Sequence, residues 1–165
     1  MNNRKAIVCG TPDHQMCQRL DHFFSSQDTS GFNCFDFAYA FGSLKDAMIY
    51  SKVFCPDFVL FRDMVFLASA VEDDEDASRV VGLLDDAGKD PQTIETSFNI
   101  TEISNLVGQK EDCEDEMVDL MLARVLCETW GALLRSKFPN RSFLVKIIPA
   151  FENNDETAVT FFQVR

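Results

Sequence analysis

The chain has 165 residues, 46% hydrophobic and 25% charged, a composition that fits one globular domain over 1–165 and argues against a disordered or collagen-like polypeptide. Asp plus Glu number 27 against 15 Lys plus Arg, so the net charge is −12, and the longest basic run is Arg4-Lys5. Phosphate binding needs clustered cations, so this balance argues against direct nucleic-acid binding and against an anionic membrane surface as partners.

Residues 4–9 read as a short strand, too short for the core of a signal peptide. No stretch approaches the roughly 18 apolar residues of a membrane span. These features predict a cytoplasmic protein. Gly10-Thr11-Pro12-Asp13 reads as a turn with Asp13 as N-cap, leading into a helix over 14–25. Met16, Cys17, Leu20, Phe23 and Phe24 share one face of that helix.

Residues 32–41 alternate with period two and predict a strand, with Phe35, Phe37, Tyr39 and Phe41 on one face and Cys34, Asp36, Ala38 and Ala40 on the other. Ser43-Leu44-Lys45-Asp46 resembles a capping box and opens a helix that Cys55-Pro56 ends near Phe54. Residues 57–67 are apolar on both faces except at Arg62 and Asp63, the pattern of a central, doubly covered strand.

A helix is predicted over 74–87, closed by Gly88, and 92–103 read as extended. A long helix over 114–138 is apolar around most of its circumference, so it is expected to be buried on several sides or to pack on another subunit. Residues 142–148 and 157–164 form a closing hairpin around an acidic loop. The expected fold is mixed α and β: a single-layer mixed parallel/antiparallel sheet of about six strands, flanked by helices and ending in an antiparallel hairpin.

The six cysteines have irregular spacing and no secretory context, which predicts free thiols. His14, Cys17 and His22 lie near Cys9, but Cys17 faces the core side of the 14–25 helix while the histidines lie on its polar side. Tetrahedral zinc ligation is not met, and no metal or other cofactor is expected. Cys9-Gly10-Thr11-Pro12 sits where a strand meets a helix but lacks the glycine pattern of a phosphate-binding loop. The acidic run 72–76 lacks the spaced ligands and central glycine of a calcium loop. No catalytic motif is found, so a non-enzymatic protein is favoured.

Two features remain. Asp36, Arg62 and Asp63 are polar residues inside predicted strands; they would line a small-ligand or enzyme pocket, or form a structural Asp–Arg pair between strands. The stronger feature is charge distribution. Residues 71–128 hold 17 acidic and 4 basic side chains, and most of the excess lies at Glu72, Asp73, Asp74, Glu75, Asp76, Asp85, Asp86, Glu111, Asp112, Glu114 and Asp115. Acids in a first helical turn suit the helix dipole, whereas Asp85 and Asp86 near a helix C-terminus oppose it. The segment is therefore either a solvated face or a binding face for a positively charged protein. The second reading fits an immunity or inhibitor protein that neutralises a basic, nuclease-like toxin, or a nucleic-acid mimic.

Overall fold

The computed structural model describes residues 34–106, 116–153 and 156–165. The predicted strand 4–9, the turn after it and the helix 14–25, with Cys9, His14, Cys17 and His22, lie outside the described residues. The chain divides into two units, residues 1–47 and 48–165. The structure is mixed α and β.

In the first unit, Cys34–Phe41 is an α-helix, α1, and not the predicted strand. An alternating run of eight residues is compatible with either form. A strand must find a neighbour for its N–H and C=O groups, whereas a helix closes those bonds within itself. Gly42 ends α1 with its N–H on the Ala38 carbonyl at 2.9 Å. A Cβ at residue 42 would stand 2.3 Å from that oxygen, so glycine is needed there. Helix α2, Leu44–Phe54, starts as expected, with the Ser43 hydroxyl accepting from Lys45 N and Asp46 N at 3.2 and 3.3 Å.

The predicted strand 57–67 is two strands, β1 (Phe58–Phe61) and β2 (Met64–Leu67), paired antiparallel with Phe61 opposite Met64. Arg62 and Asp63 form the two-residue turn with φ of 51° and 65°. Positive φ at both central positions matches the right-handed twist of the flanking strands. The doubly covered character belongs to β2 alone, all four of whose residues are buried. Met64 and Phe66 face one core with Val80 and Ile94. Val65 and Leu67 face the other, with Leu126, Trp130, Leu134, Val159 and Phe161.

Helix α3, Asp74–Val81, continues into a single π-helical segment, Gly82–Asp86. Gly88, at φ 60°, closes the turn, as expected. Pro91–Phe98 is helix α4, where an extended segment was predicted; only Thr101–Glu102, β3, is strand. Thr93, Ile94 and Thr96 suggest a strand locally, but Asp90-Pro91 is a strong helix start. Asp90 accepts from Thr93 N at 3.0 Å, and the proline has no N–H to leave unpaired.

The long helix α5, Glu116–Lys137, packs on β4 (Ser142–Ile148) and β5 (Ala158–Val164). One stripe of it, Ala123, Leu126, Trp130 and Leu134, is buried, while Val118 is exposed. The hairpin β4–β5 runs in register from Ser142 opposite Val164 to Ile148 opposite Ala158.

The expected single sheet of six strands is not found. The described strands form two small antiparallel sheets, β1–β2 and β3–β5–β4, with no parallel pair among the described residues. Two of the predicted strands are mainly helix and a third folds back on itself. The sheets also stay separate for a local reason. Val65 N and Gln163 N donate to the two carboxylate oxygens of Glu95 at 2.8 and 2.9 Å. Asn99 Oδ1 accepts from Leu67 N at 2.9 Å, and its Nδ2 donates to Val65 O and Phe161 O at 2.9 and 3.2 Å. Side chains from α4 and the residue after it thus take up backbone groups of β2 and β5 that would otherwise need partners in a ladder.

Candidate functional site

The acidic residues of the middle of the chain divide by what they do. Asp73 is the N-cap of α3 and accepts from Glu75 N and Asp76 N at 2.9 and 3.0 Å. Asp76 accepts from Glu72 N at 3.2 Å and from Arg79 at 3.2 Å, one turn along the helix. Both carboxylates are therefore occupied in starting the helix, where the positive end of its dipole also favours negative charge. Glu72, Asp74 and Glu75 are exposed, and among the described residues none of them has a basic partner.

Asp85 lies in the π-helical segment, 3.7 Å from Arg62, with both side chains about half exposed. An ion pair of that kind contributes ~0–1 kcal/mol. Asp86 is in the same segment. Glu111, Asp112, Glu114 and Asp115 lie outside the described residues.

Other acids of the region serve the fold. Asp90 caps α4, and its carboxyl is held below the ordinary range by the Thr93 hydroxyl first and the Thr93 N–H second. Glu102 accepts from Asn105 at 2.8 Å. Glu95 is fully buried and paired with Arg165, Nη1 to Oε2 at 2.9 Å.

Asp36 is exposed on α1, so its predicted place on the small face of a strand is replaced by a helical one. Arg62 and Asp63 are the hairpin turn and not strand residues. Asp63 Oδ1 accepts from Arg141 Nη2 at 2.6 Å, and its carbonyl accepts from Arg141 Nη1 and Arg165 Nη2 at 3.1 and 3.0 Å. Arg141 Nη1 also donates to Gln163 Oε1 at 2.6 Å. The Asp–Arg pair that joins elements here is therefore Asp63 with Arg141, and it tethers the β1–β2 turn to the start of β4.

Sequence reasoning missed Glu95, Asn99, Arg141 and Arg165. The first two are visible as an i, i+4 pair only once 91–98 is read as helix, and the Asp90-Pro91 start was the available signal. Nothing local marks Arg141 or Arg165.

Cys55 is an exposed free thiol; Cys127 is also free, and burial pushes it up to about 11, which keeps it protonated and inert. No group of three or more metal-ligating side chains occurs among the described residues, and no helix among them is long and apolar enough to cross a membrane. Comparison with protein-family models, with curated proteins and with solved structures gives no match.

Proposed function

We propose that this chain is a non-enzymatic acidic binding protein that docks a positively charged protein. An immunity or inhibitor protein directed at a basic, nuclease-like toxin, or a nucleic-acid mimic, is the form of that function its charge suits best. One observation carries the reading. After capping, helix pairing and burial have taken up Asp73, Asp76, Asp90 and Glu95, the exposed carboxylates of Glu72, Asp74 and Glu75 remain at the start of α3 with no ion pair to a described basic side chain, Arg79 being engaged by Asp76. Like charges held close repel, so leaving them unpaired opposes folding slightly while creating a field that steers a cationic partner.

The test is binding to the basic protein captured from the native host, by the wild type and by the triple variant Glu72→Gln, Asp74→Asn, Glu75→Gln, at low and high salt. Asp73 and Asp76 are left intact because removing a cap would itself lower stability by ~1 kcal/mol. Slower association and a flatter salt dependence in the variant are expected, since rim charges act chiefly on the on-rate. Unchanged association and unchanged salt dependence would overturn the reading and leave the segment a solvated face.

A further inference from the structure

We draw no further inference here: the strongest candidate, the open groove of about 390 Å³ between Phe61 and the Asp74, Ser78 and Gly82 side of the α3 region, belongs to the acidic face already described and holds no buried, unpartnered polar side chain that points to a ligand.

Discussion

Glu95 and Arg165 meet across the seam between the two sheets, with Arg165 Nη1 2.9 Å from Oε2 and Nη2 3.3 Å from Oε1 of a carboxylate that is fully buried. The same two oxygens accept Val65 N and Gln163 N, so a single charged group satisfies β2, β5 and the guanidinium together. A buried carboxylate is tolerable only when its charge and its lone pairs are all met, and here they are.

Replacing Glu95 by Gln keeps the shape but turns one acceptor into a donor, which then faces either a backbone N–H or the guanidinium. We expect a loss of ~2–4 kcal/mol in unfolding free energy, read from denaturant midpoints. Arg165→Met should cost less in the Glu95→Gln background than in the wild type, because the two changes break one network. Additive effects would show that the pair is not coupled.

At the hairpin turn, Arg62 holds φ of 51°, a left-handed conformation that costs most L-residues roughly 1–2 kcal/mol. Asparagine adopts it more readily. Arg62→Asn should leave Asp63 and its arginine partners in place and raise stability by up to ~1 kcal/mol, since the Arg62–Asp85 pair it sacrifices is long and exposed. A lower thermal midpoint would mean that this ion pair outweighs the backbone term.

Trp130 is almost wholly buried against Phe161, and its indole Nε1–H donates to Val53 O at 2.9 Å. Trp130→Phe keeps an aromatic ring but leaves the Val53 carbonyl without this donor, at an expected cost of ~1–3 kcal/mol. Trp130→Ala adds a cavity and should cost ~3–5 kcal/mol. Equal losses for the two variants would place the whole effect in the hydrogen bond and none in packing.

Asp90 titrates below the ordinary carboxylate range because Thr93 donates to it from its hydroxyl and from its backbone N–H. Its folded value is depressed, so its contribution to stability is present above the unfolded value of about 3.9 and is lost as pH falls through the folded one. Thr93→Val removes the larger cause and keeps the N–H bond. Carboxyl carbon NMR should show the Asp90 midpoint moving up toward the unfolded value in that variant; an unmoved midpoint would mean that the hydroxyl does not hold the carboxylate.

Much of the helical and hairpin structure follows from short-range chemistry in the sequence. Ser43 and Gly88 mark helix ends by a side chain or the lack of one, and each acts where its neighbours predict. The closing hairpin was legible from two short apolar runs around an acidic loop, and the long helix, apolar around most of its circumference, from a length that strands do not reach.

Residues 91–98 were also decided locally, because the Asp90-Pro91 start overrides the strand preference of the β-branched Thr93, Ile94 and Thr96. Tertiary structure decided how the charges are met. The acidic excess was legible as a total, but not its division into caps, pairs, a buried carboxylate and an exposed remainder. The caps and the Asp76–Arg79 pair are local, but the buried member of that division rests on Arg165 reaching Glu95, a contact spanning 70 residues of chain. A local sequence pattern carries no record of which distant group will supply a charge's partner. Burial of an acid is permitted only when that partner arrives, so folding alone separates the carboxylates that hold the structure from those left facing solvent.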